Sequence, residues 1–247
     1  MNPLGDRILE HLRAVESERA ARAGDPVLDE RVQAVKAYQQ HRFRRGYADL
    51  LQHPRYGPAA QFFLEELYGP GDFSDRDAQF ARIVPALVSL FPHEIVETVA
   101  RLAALHAISE RLDTQMGRHV TALPIHAADY VSAWQAVGQA DARREQIQLT
   151  LEVGHALERY TRNPVLRHSL RLMRGPARAA GLAALQSFLE RGFDTFRAMR
   201  GAEGFLATVQ AREEALRQRL FATEAVACAT KISAACPTGD DPLGQLP

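Results

Sequence analysis

Glu152 and His155 stand three residues apart in the stretch LEVGH. A carboxylate and an imidazole at i, i+3 share one helix face, the arrangement a helix offers to a carboxylate-bridged iron centre. Two metals need about six protein donors. Glu65, Glu66, Glu97 and Glu110 could add carboxylates, but no second Glu-x-x-His is written in the chain. A structural His–Glu contact is therefore the preferred expectation, with iron at Glu152/His155 as the alternative. A second candidate lies along Ile95, Val99, Leu102, Ala103 and His106, which recur at helical spacing; Glu110 and Asp113 continue that stripe at i+4 and i+7 from His106. A polar stripe growing out of an apolar face is where a buried site would be built. The third candidate is YGPAAQFFLEELYGPGDFSDRD, residues 56–77. There Phe62, Phe63 and Phe73, with Phe80 beyond, converge on a Gly/Pro corner and could wall a pocket, Tyr68 among its candidates, with Glu65, Glu66, Asp72, Asp75 and Asp77 at its mouth. The bland alternative is a packed aromatic corner.

Nucleophilic chemistry has little to stand on. There is no G-x-S-x-G, no phosphate-binding loop and no dinucleotide fingerprint, and Cys228 and Cys236 both fall near the C-terminus.

The elements that must position these residues all read as helices. Pro58 suits a first helical turn, and Gly69-Pro70-Gly71 ends that helix. Ser74 with Asp77 resembles a capping box, and Asn163-Pro164 reads as another helix start. Residues 140–162 are apolar on several sides and predict a central, largely buried helix, with Gly154 allowing a neighbour close. Leu182, Leu185, Leu189, Gly192, Phe196 and Met199 form a 3–4 spaced seam fit for intramolecular packing or self-association. No alternating strand pattern appears. The reading is one all-α bundle of about eight to ten helices, partly orthogonal. It spans 26–222, after an exposed amphipathic extension (1–25) and before a disordered tail (223–247).

QFFLEELYGPGDFSDRD and RGPARAAGLAALQSFLERGFDTFRAMRGAEGFLAT resemble a family of uncharacterised proteobacterial helical proteins, over about residues 26–222. That resemblance implies an all-helical fold and no activity. LAALHAISERLD, around His106, resembles the proximal-histidine helix of globins, with Phe62 upstream as the ring to pack on a haem. It implies haem ligation by His106, although no His stands between Phe62 and Pro92 as a distal residue.

Composition narrows the partners. The 30 basic and 30 acidic residues cancel, which argues against nucleic acid. No apolar run is long enough for a transmembrane helix, so no membrane partner is expected either. The cysteine usage suggests a reducing, cytoplasmic setting. The function expected is a non-enzymatic interaction or regulatory module without a cofactor, its partner held by the 182–199 seam or the N-terminal helix. The alternative is a helical haem- or iron-binding protein acting through His106 or Glu152/His155.

Overall fold

A computed structural model describes residues 2–66 and 73–235. Among them are thirteen helices and no strand, so the all-α class stands. Short pieces account for helices beyond the expected number: α3 (Ala48–Gln52) has five residues and α10 (Arg174–Ala179) six.

The axis of the fold is α6 (His93–His119), which at 27 residues is about 40 Å long. Twelve of its residues are buried. The helix expected at the centre, α8 (Ala140–Thr161), buries five. The difference lies in its Arg, Gln and Glu residues, which give α8 a wet face. Around α6 pack α1 (Pro3–Ala23), α2 (Pro26–Gly46), α7 (Ala127–Val137) and α8. Gly117 permits one close approach: a Cβ there would lie 2.5 Å from Val32 Cγ2 on α2. Gly154 permits another, since its Cβ would meet Leu206 Cδ2 at 2.6 Å on α12 (Glu203–Leu220).

Helix α1 is not an exposed extension. Ile8, Leu12 and Val15 are buried, and α1 lies along α6 and against α5 (Ser74–Leu90). Asn2 caps α1 by accepting from the Leu4 N–H, and Asp25 caps α2 by accepting from that of Leu28. The C-terminal region also departs from expectation. Residues 225–235 form α13, whose Ala225 and Ala229 are small enough to enter a core with Tyr130 and Trp134 of α7.

The 182–199 seam belongs to α11 (Ala183–Ala198). Leu185, Gly192, Phe196 and Met199 are buried, and α11 packs on α4 (Gly57–Glu66), α5 and α8. The apolar side of the seam is thus covered by this chain itself. Outside α11 ride α9 (Pro164–Leu172) and α10.

Candidate functional site

The polar stripe of α6 meets four other helices at a buried cluster of charge. Glu110 is 4% exposed. Its Oε1 accepts from Lys36 Nζ of α2 at 2.6 Å and its Oε2 from Arg22 Nη2 of α1 at 2.8 Å. Arg22 Nη1 also donates to Thr114 Oγ1, one turn along α6, at 2.8 Å. Burial opposes the charge on Glu110, but Lys36 and Arg22 outweigh it and hold the carboxyl down at about 2.

One turn before Glu110, His106 Nε2 lies 2.8 Å from Asp77 Oδ2. Arg19 Nη2 reaches the same Asp77 oxygen at 2.9 Å. Burial would raise the Asp77 carboxyl, yet His106, Arg19 and Arg76 together keep it below the usual range. As a carboxylate Asp77 can only accept, so the Nε2 proton is directed at it. Asp77 therefore does not close the capping box that its spacing from Ser74 suggested: the N-cap of α5 is Phe73, whose side chain makes no cap bond, and the Asp77 carboxylate turns into the ion cluster.

One turn beyond Glu110, Asp113 sits in a different environment. Its Oδ1 accepts from Gln39 Nε2 at 3.1 Å, and burial pushes its carboxyl above the ordinary value despite Lys36 and Arg143 nearby. Two acids three residues apart on one helix are thus driven in opposite directions, because one has two cations on it and the other an amide.

This cluster forms one wall of a cavity of about 150 Å³. Lys36, Gln39, Asp77, His106, Ser109, Glu110, Asp113 and Gln146 line the polar side. The apolar side comes from Leu12 of α1, Phe80 of α5, Val99, Leu102 and Ala103 of α6, and Leu185, Phe188 and Leu189 of α11. Phe73 and Arg76 close one end. The Arg76 guanidinium is stacked between the rings of Phe73 (4.2 Å) and Phe188 (4.5 Å), and it donates to Glu66 at 3.3 Å.

Of the pocket residues expected from sequence, Glu66, Phe73, Asp77, His106 and Glu110 are brought together on this lining. Phe62 and Phe63 are not. Phe62 stacks on the outer side of Phe188 at 5.6 Å, while Phe63 joins the separate core of Phe196 and Phe205. Adjacent residues on a helix point about 100° apart, and here the two rings turn to different neighbours. Tyr68 lies outside the described residues. Sequence reading did not single out Arg19, Arg22, Lys36 or Gln39. Their one legible signal was Lys36, one of only two lysines beside 28 arginines.

Glu152 and His155 lie elsewhere. Glu152 accepts from Gln148 and pairs with Arg101 at 3.0 Å, and His155 is exposed. Among the described residues no three His, Cys, Asp or Glu side chains converge as a metal site would require. Haem ligation by His106 would require taking Nε2 from Asp77 and far more room than the cavity offers.

The lining also contains Asp77, His106 and Ser109, the residue types of a hydrolytic triad, but not its geometry. Ser109 Oγ donates to the Leu105 carbonyl at 2.7 Å and accepts from Gln146 Nε2 at 2.8 Å. No hydrogen bond joins Ser109 to His106 among the described residues, whereas a nucleophile must share its proton with its base.

A family model described as a domain of unknown function, DUF8198, matches residues 18–227. The chain belongs to that family. The match takes in every lining residue of the cavity except Leu12. No curated protein and no solved structure matches the chain.

Proposed function

We propose that this DUF8198 protein is a non-enzymatic regulatory module whose input is a compact amphipathic small molecule, bound between α1, α2, α5, α6, α8 and α11. The observation that carries this reading is the two-sided lining of the cavity. An aromatic and aliphatic wall faces a wall of fixed charges and amides, the division that orients a small ligand. A void of about 150 Å³ suits a body near the size of one benzene ring. The body would lie against Phe80, Leu102, Leu185 and Phe188, and the head would exchange hydrogen bonds with Gln39, Ser109, Asp113 and Gln146. Asp113, its carboxyl pushed up by burial and met by the Gln39 amide, gives the head a different polar contact from Glu110 and Asp77, whose carboxyls nearby cations hold below the usual range. Binding is favoured over catalysis because Ser109 already donates to its own helix and no nucleophile among the described residues bonds the Asp77–His106 pair.

Native mass spectrometry of protein isolated from its own host tests this. Wild type should carry one small molecule per chain. Ala103→Phe, which places a ring in the void, and Leu189→Trp, at a position 39% exposed, should both be free of it while staying folded. A ligand retained by both variants, or none in wild type, would count against the cavity as the binding site.

A further inference from the structure

Residues 159–189 contain six arginines and one histidine but no acidic residue, in a chain whose 30 basic and 30 acidic residues balance overall. The middle of this stretch is α9 and α10. Met173 joins them in a near-helical conformation (φ −74°, ψ −8°): its N–H closes α9 on the Ser169 carbonyl at 3.1 Å, and its own carbonyl accepts from Ala177 N–H at 2.8 Å to open α10. Asn163 caps the start of the pair by accepting from the Val165 N–H, and Gly181 at φ +71° ends it.

Arg167, Arg171, Arg174 and Arg178 fall at i, i+4, i+7 and i+11, one stripe down the pair. Leu166, Leu170 and Ala177 form the side turned to the protein; Ala177 is buried and the two leucines half-buried. The apolar arc does not end there. It continues through Val165 (66% exposed), Leu172 (65%) and Met173 (51%) onto a face that nothing among the described residues covers. Arg167 pairs with Asp194 and Arg174 with Glu190, both on α11. Arg159, Arg171 and Arg178 form no ion pair among the described residues and are exposed.

We propose that the α9–α10 pair docks on an anionic lipid surface, lying in the interface with Val165, Leu172 and Met173 in the acyl boundary and the arginine stripe at the headgroups. An uncovered apolar face rimmed by cations is what such a surface binds. No helix among the described residues is long and apolar enough to cross a membrane; a helix lying on one has no such length requirement. This docking goes beyond the ligand-binding reading and does not depend on it.

The test is cosedimentation of the full chain with phosphatidylcholine vesicles, with and without phosphatidylglycerol. The protein should pellet with the anionic vesicles only, and added salt should release it. Arg171→Glu with Arg178→Glu should weaken binding by more than tenfold, since each arginine near an anionic surface is worth roughly fivefold. Leu172→Glu with Met173→Glu should weaken it by roughly tenfold or more, with the far-ultraviolet dichroism unchanged because both positions are exposed. Three results would overturn the proposal: no pelleting, pelleting unaffected by either variant, or a concentration-dependent dimer that the Leu172/Met173 variant abolishes, which would give this face to a second copy. Capture of phosphatidylglycerol vesicles by the cavity variants Ala103→Phe and Leu189→Trp at wild-type strength would show the two surfaces to be independent.

Discussion

Arginine is used in opposite ways in two regions of this molecule. Beneath α1, Arg22 is 4% exposed and donates to both Glu110 and Thr114; with Lys36 it leaves neither Glu110 oxygen unpaired. On α9–α10, arginines of the same chain stand in solvent beside leucine and methionine that are also in solvent. The first arrangement fixes geometry, because a buried charge with two or three directed partners has one low-energy position. In the second, Arg167 and Arg174 reach single acids on α11, Arg171 and Arg178 have no ion pair among the described residues, and the exposed apolar face points outward. What the contrast teaches is that residue type alone does not separate a structural ion cluster from a docking rim; the number of partners and the burial do.

The largest expected effect tests the buried side. Glu110→Ala leaves the buried Arg22 and the part-buried Lys36 without their common acceptor and should cost about 3–5 kcal/mol in denaturant unfolding. A loss below about 1 kcal/mol would mean that the cluster is as weak as a surface pair.

The same carboxylate predicts a pH dependence. Its folded pKa, about 2, lies below the unfolded value of 4.5. Its contribution is therefore complete above pH 5 and is lost as pH falls towards 2, an effect of roughly 3 kcal/mol. Wild type and Glu110→Gln should thus converge in stability on acidification; parallel curves would remove Glu110 as the cause.

Asp113 should behave in the opposite sense. Its raised pKa means that the folded state holds its proton longer, so it subtracts stability as pH rises above the unfolded value of 3.8. Asp113→Asn, which keeps an acceptor for Gln39, should raise Tm at pH 7 and change little near pH 3. A lower Tm at pH 7 would show that the ionised carboxylate is needed.

The smallest effect belongs to the exposed side. Arg167→Ala removes a pair with Asp194 in which both side chains are partly in solvent, and should alter stability by less than about 1 kcal/mol. A larger loss would place the α9 stripe among the structural charges.

The all-helical class was legible because apolar residues at 3–4 spacing, proline helix starts and glycine stops agree with one another along the chain. The cavity was half legible. His106, Glu110 and Asp113 share one face of one helix, so their spacing alone grouped them. Arg22 and Lys36 come from helices 88 and 74 residues away in sequence, and no local pattern records which helix lies beside which. Pattern also misled at α1, where Ile8, Leu12 and Val15 look the same on an exposed amphipathic helix and on one packed against α6. At 225–229 the signal was too weak: small alanines carry little hydropathy, yet they fit a groove beside Trp134.

The central claim is that the cavity between α6 and α11 takes a small amphipathic ligand. Its most direct test is methyl-resolved NMR of the full chain, titrated separately with phenylacetate, benzylamine and benzyl alcohol, which share a ring and differ in the head. At least one should shift the methyl signals of Leu102, Ala103, Leu185 and Leu189 together, saturably, and without effect on Val165 or Leu172. If all three leave those four signals in place, or move only the methyls of α9, the cavity is not the binding site.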